Sequence, residues 1–171
     1  GVGHGTLIEY VQVHSNLDDG IEWFGGTVNV RYAVLTNIDD DPIDFDEGYQ
    51  GNMQYMLVRF DPNADAPQGS NDPRGIEANS SDDEFVPETN AVVANTLILG
   101  SGINNAEGSE AGSQPGMRLR GAVTVAIYNT AVQDFNVGCV RIDDADTNGD
   151  DTIDEFSDVT LVNVLGECEE G

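Results

Sequence analysis

The chain is 171 residues long, enough for one domain with a real core, and sets 32 Asp and Glu against six Arg, with no Lys, for a net charge of −26. That charge repels phosphate backbones, which excludes nucleic acid as a partner, and it repels anionic polysaccharide unless metal ions intervene. Apolar runs stop well short of the roughly 20 residues that cross a bilayer as a helix, so no transmembrane segment is expected.

The first 45 residues contain a repeat. Residues 8–23 and 30–45 each read as two short strands separated by an acidic turn, and they align residue by residue. Tyr10 falls on Tyr32, Val13 on Leu35, Asp18 and Asp19 on Asp40 and Asp41, Ile21 on Ile43, Glu22 on Asp44, and Trp23 on Phe45. A repeat of this size is one coil of a solenoid, because a single coil cannot bury its own apolar face and must stack on the next. Residues 53–58 and 75–77 supply a third coil, residues 93–99 and 116–119 a fourth, residues 125–132 and 139–142 a fifth, and residues 159–165 the first strand of a sixth. The strand-sized runs are rich in Val, Ile, Leu, Thr and Tyr, and Gly, Asn and Asp punctuate them. An ordinary antiparallel sandwich also shows short strands at regular spacing, but it does not require side-chain identity to repeat. The expected fold is therefore all-β, a right-handed parallel β-helix of about five to six coils with long loop insertions. Residues 1–143 form the coils, with inserted loops at about 61–90 and 100–115. Residues 144–171 form an acidic calcium-type loop and a last strand. Tyr10, Tyr32 and Tyr55 are expected at equivalent positions of successive coils, with Val11, Val13, Ala33 and Leu35 in the same strand ladder.

Residues 1–14, 18–29 and 48–54, together with Gly116-Met117-Arg118-Leu119-Arg120, Tyr128-Asn129-Thr130 and residues 139–143, resemble a group of secreted or envelope proteins of Gram-negative bacteria. The resemblance covers most of the chain outside the inserted loops. It implies a pectate-lyase-type parallel β-helix and an exported or cell-surface location, and it brings no catalytic residue or ligand with it. Members are typically several hundred residues long. The absence of an initiator Met, an export signal and N-terminal coils is expected to mark a C-terminal portion or a trimmed subunit.

Two acidic features are candidates for metal. Residues one coil apart in a solenoid lie about 4.8 Å from each other, which sets Asp18 and Asp19 beside Asp40 and Asp41, and Glu22 beside Asp44, with Glu77 next. Carboxylates that close repel unless they are protonated, solvated or bridged by a cation, and Ca²⁺ accepts six to eight oxygen ligands in flexible geometry. A solvated acidic edge is the competing reading, and Pro42 in the place of Gly20 makes the two turns differ in backbone. The second feature is the stretch 144–155, where Asp144, Asp146, Asn148, Asp150 and Glu155 surround Gly149. Counted from Asp144, it places Asp146, Asn148 and Glu155 at positions three, five and twelve of an EF-hand-like loop with Gly149 at six, while the apolar residue of position eight is displaced to Ile153. Counted from Asp146 it is dockerin-like, with Asp158 one residue late. Calcium is the expected cofactor of this loop.

Cys139 and Cys168 are the only cysteines. They read as one disulfide in an oxidising compartment, worth about 3 kcal/mol by the loop-entropy estimate; two buried thiols are the alternative. His4 and His14 read as strand-face or surface residues, and Trp23 over Phe45 as an aromatic ladder rather than a sugar platform. Arg118 and Arg120 alternate toward one face, where one of them can neutralise the acidic edge of the neighbouring coil. No complete catalytic constellation is present. The expected function is a non-catalytic extracellular structural or adhesive solenoid, calcium-stabilised and able to stack on itself end to end or to hold a surface polysaccharide. A carbohydrate-active β-helix with its acids in a groove is the alternative.

Overall fold

The computed structural model describes residues 1–61, 73–80, 86–102, 114–144 and 156–169. The repeat becomes strand register. β1 (Leu7–His14) pairs in parallel with β3 (Asn29–Thr36), Val11 opposite Ala33 and Val13 opposite Leu35. β2 (Ile21–Gly26) pairs in parallel with β4 (Ile43–Tyr49), Trp23 opposite Phe45. β5 (Asn52–Arg59) and β6 (Ile76–Ala78) make the third coil. β7 (Asn90–Ala94), β8 (Leu97–Leu99) and β9 (Met117–Leu119) make the fourth, and β10 (Thr124–Tyr128), β11 (Ala131–Gln133) and β12 (Val140–Ile142) the fifth. β13 (Asp158–Val162) and β14 (Leu165–Glu167) open a sixth and continue the same sheet. Every pairing among these strands is parallel, which rules out the antiparallel sandwich. The strands form a five-stranded sheet in the order β12-β9-β6-β4-β2 and a nine-stranded sheet holding the rest.

The larger sheet bends at one corner in every coil. Tyr10, Tyr32, Tyr55, Asn95, Asn129 and Asn163 occupy it, all with φ between 48° and 58°. In this left-handed region Asn is the favoured non-glycine residue, because its short amide bonds locally, while a bulky side chain is strained. Asn129 donates Nδ2–H to Asn95 Oδ1 at 3.2 Å, and Asn163 to Asn129 at 3.1 Å. The three tyrosines meet the strain differently. Their rings stack at 4.8 and 5.0 Å with interplanar angles of 8° and 3°, so the expected equivalence of Tyr10, Tyr32 and Tyr55 is observed, at a bend rather than in straight strand.

Between the sheets, alternate residues form continuous apolar columns. Ile21, Ile43, Ile76, Met117 and Val140 are successive partners across the five-stranded sheet. Val30, Met53, Val93 and Ile127 run along the other sheet, all of them buried. Each such side chain contributes roughly 1.5–3 kcal/mol on leaving water. Trp23 and Phe45 are also buried, but the aromatic packing differs from a simple ladder: Trp23 stacks on Tyr49 at 5.2 Å and Phe45 tilts against the same ring at 5.9 Å. Tyr49 donates its hydroxyl to the Val28 carbonyl at 2.8 Å, which satisfies that buried polar group. At the C-terminal end Cys139 and Cys168 are bonded, with Cα atoms 5.5 Å apart, and tie the segment after β14 to the approach to β12. No helix among the described residues is long and apolar enough to cross a membrane.

Candidate functional site

The outward residues of the five-stranded sheet carry the charge. Because partners across a parallel pair stack along the solenoid axis, Glu22, Asp44, Glu77, Arg118 and Arg141 form one column. The face is acidic at its N-terminal end and basic at its C-terminal end. Four of the six arginines, Arg74, Arg118, Arg120 and Arg141, belong to the coils of this sheet. The segments 62–72, 81–85, 103–113 and 145–155, which lie outside the described residues, each stand next in sequence to one of its strands, β6, β9 or β12.

A second column runs through the turn before the sheet. Asp19 Oδ1 accepts the backbone N–H of Asp41 at 3.0 Å, and Asp41 Oδ1 accepts that of Arg74 at 2.6 Å, so each acid caps the chain one coil on. Arg74 is 1% exposed, and its guanidinium donates to Asp41 Oδ2 at 3.2 Å, Glu77 Oε2 at 2.8 Å and Gln114 Oε1 at 3.0 Å. Arg120 reaches back one coil to Glu77 Oε1 at 2.7 Å, the neutralising contact expected of one of the two alternating arginines. Arg118 and Arg141 both bind Asp143, at 3.0 and 2.9 Å.

These contacts divide the acids into two groups. Burial alone would push Glu77 upward, but Arg74 and Arg120 outweigh it and hold the carboxyl below its ordinary value. Asp143 behaves alike, its partial burial overcome by Arg118 and Arg141. Among the acids nearer the N-terminal end, burial outweighs whatever relief an arginine gives. Burial, then the charges of Asp19, Glu77, Glu22 and Asp46, push Asp44 up to about 8. Burial raises Asp19 to about 7, with Asp40, Glu22 and Asp18 adding to it against the hydrogen bond from Asp41. Glu22 and Asp46 are raised for the same first reason. Asp41 is raised by deep burial despite its share of Arg74.

Asp18, Asp19 and Asp40 bring ligand atoms within 4.8 Å of one another, and so do Asp19, Asp41 and Asp44. The stacking of the two acidic turns is therefore as expected, and the second trio adds a residue from the strand face. All the donors are carboxylate oxygens, the ligand type a hard cation such as calcium takes. Of the other sequence candidate, Asp144 is described: its Oδ1 accepts the Ser157 N–H at 3.1 Å, while Ser157 Oγ donates to the Asp143 carbonyl at 2.9 Å, so the two ends of the stretch meet. Asp146, Asn148, Asp150 and Glu155 lie outside the described residues. His14 lies on a strand face, exposed, with Nδ1 2.9 Å from Thr36 Oγ1, and exposed His4 hydrogen-bonds through its backbone N–H to Thr27. Arg74 was not legible as a site residue, because it stands at the end of a polar inserted stretch; its spacing of two residues before Ile76, matching Asp41 before Ile43, was the available signal.

Two parallel sheets wound coil on coil, with bends stacked from coil to coil and charge gathered on one face, define a parallel β-helix protein. A family model described as a pectate-lyase-like β-helix domain matches residues 1–170. The chain belongs to that family. No curated protein and no solved structure matches it significantly.

Proposed function

We propose that this β-helix is a non-catalytic, secreted or cell-surface module that adheres to a polysaccharide along the outer face of its five-stranded sheet, with calcium between the carboxylates. The observation that carries the reading is the column Glu22–Asp44–Glu77–Arg118–Arg141 beside the Asp19, Asp41 and Asp44 trio. Five strands at the usual spacing span about 19 Å, room for several sugar units laid along the axis. Hydroxyls would find acceptors at the acidic end and guanidinium donors at the other. A divalent ion would remove the repulsion that otherwise keeps a sugar acid away, and the 144–155 loop would hold a second calcium. The disulfide fits an oxidising, exported setting.

The test is retention on an immobilised acidic polysaccharide in Ca²⁺, then in chelator. Retention that depends on Ca²⁺ and falls at least tenfold in Arg118→Gln/Arg141→Gln supports the proposal; retention indifferent to both rejects it. Self-stacking is a separable part. Among the described residues, β1 on one edge of the larger sheet, and β13 with β14 on the other, each pair on one side only, and unpaired edges invite a further strand. Sedimentation that stays monomeric across concentration removes this part.

Hydrolysis is the second reading, favoured by one observation. A carboxyl raised to about 8 beside one raised to about 7 offers an acid and a base of the kind glycoside cleavage employs. Release of reducing ends, lost in Asp44→Asn, would establish it.

A further inference from the structure

Five of the six arginines are paired. Arg31 binds Glu9, Arg74 binds Asp41 and Glu77, Arg120 binds Glu77, and Arg118 and Arg141 bind Asp143. Arg59 makes no ion pair and no side-chain hydrogen bond among the described residues, in a chain with 32 acidic residues. It stands at the end of β5 on the outer face of the nine-stranded sheet, in the column His14, Thr36, Arg59. These three side chains, with Gln12, Asn37 and Phe60, line a cavity of about 420 Å³. Asp61 also lines it and has a partner of its own. His14 Nδ1 meets Thr36 Oγ1, and Asn37 donates to Ser15 Oγ at 2.9 Å, so the polar wall is held in place by contacts between coils.

Gln12 is shared with a second, less polar hollow of about 490 Å³. Its floor is Val34 and Leu57, and its far wall is the stacked edge of Tyr10, Tyr32 and Tyr55. Along β1 the distance from Tyr10 to His14 is four residues, about 13 Å of strand. The two hollows adjoin at Gln12 as one groove, with an apolar half and a polar end that holds Arg59 beside Asp61.

We propose that this groove binds an amphipathic monocarboxylate, its carboxylate on Arg59 and its medium-length hydrocarbon body over Val34 and Leu57 against the tyrosines. Guanidinium is the donor best matched to a carboxylate, because its fork presents two parallel N–H groups. Apolar ring edges and branched side chains give nothing to a hydrated ion, but they bury a hydrocarbon chain. Because the groove is open, binding is expected to be weak. Nothing in it involves the charged face of the five-stranded sheet, so the outcome here does not depend on that assignment.

The experiment is a titration of the full chain with decanoate, below its micellar concentration, followed by NMR at His14, Arg59 and the three tyrosines. Acetate and 1-octanol serve as the head-only and body-only probes. The expected result is a saturable shift at both ends of the groove with decanoate, and affinities at least tenfold weaker for each partial probe. Arg59→Gln should weaken decanoate at least tenfold with an unchanged unfolding midpoint, and Leu57→Asn should weaken it without affecting acetate. Absence of saturable shifts overturns the proposal. So does equal binding by acetate, or an Arg59→Gln variant that binds decanoate as the parent does.

Discussion

Arg74 holds Asp41 twice, through its backbone N–H at 2.6 Å and through Nη1 at 3.2 Å, and both side chains are at most 3% exposed. One guanidinium therefore ties the second coil to the third at the edge of the charged face. Removing one member of a buried pair leaves the other charge without compensation, which typically costs about 3–5 kcal/mol. Arg74→Met is expected to lose that much in urea unfolding. Arg141→Met, which breaks an exposed pair, should lose less than about 1 kcal/mol. Equal effects would show that Arg74 is not the clamp.

The pH dependence has a defined sign. Asp44 and Asp19 rise from an ordinary 3.8 to about 8 and about 7, so between those limits the folded chain holds more protons than the unfolded one, and stability falls as pH rises. Glu77 and Asp143 lie below their ordinary values; their contribution is present at neutral pH and is lost as pH drops through the acid range. The maximum therefore lies at the acid end of that window, near the ordinary carboxylate range. In chelator the unfolding midpoint should be higher at pH 5 than at pH 8, and Asp44→Asn should flatten that decline. A midpoint that climbs from pH 5 to 8 would contradict the assignment.

The bend in the larger sheet makes a conformational prediction. Tyr55 has φ 58° and precedes Asn95 in the same corner column. Tyr55→Asn suits the left-handed region and can continue the amide ladder, so it should lose only the ring stacking with Tyr32, about 1 kcal/mol. Tyr55→Val places a β-branched residue where it is strained and should cost a further 1–3 kcal/mol. Comparable unfolding midpoints for the two variants would show that the backbone at this corner relaxes freely.

Reduction of the Cys139–Cys168 bridge releases a loop of 29 residues. The chain-entropy estimate gives a loss of about 3–4 kcal/mol. A Cys139→Ser/Cys168→Ser variant should show that loss in denaturant unfolding. Retained stability would mean that the last coil is held by strand pairing alone.

Register was the most legible property of this chain. The recurrence of Tyr10 at Tyr32, and of Ile21-Glu22-Trp23 at Ile43-Asp44-Phe45, placed side chains on matching positions before any geometry was known. In a parallel solenoid those positions are neighbours, so the Glu22–Asp44–Glu77 stack was readable too; that one of Arg118 and Arg120 neutralises the next coil was legible, but not which of them or on which acid. The bend was not, because Tyr is a poor residue for a left-handed backbone and nothing local in the sequence marks it; only the Asn at 95, 129 and 163 carries the usual signature. The role of Tyr49 was hidden for another reason. It lies outside the aligned repeat, and its place between Trp23 and Phe45 comes from the curl at the end of β4, where Glu47 and Gly48 both have positive φ.

The central claim is that Asp19, Asp41 and Asp44 take calcium, and its most direct measurement is calorimetric titration with Ca²⁺ at pH 7 in two buffers of different ionisation enthalpy. Carboxyls raised to about 7 and 8 must shed protons when the ion enters, so the observed heat should change with the buffer. The account predicts binding accompanied by proton release, with the release abolished in Asp19→Asn/Asp44→Asn. Binding without any buffer dependence, or an unchanged proton release in that double variant, would contradict it.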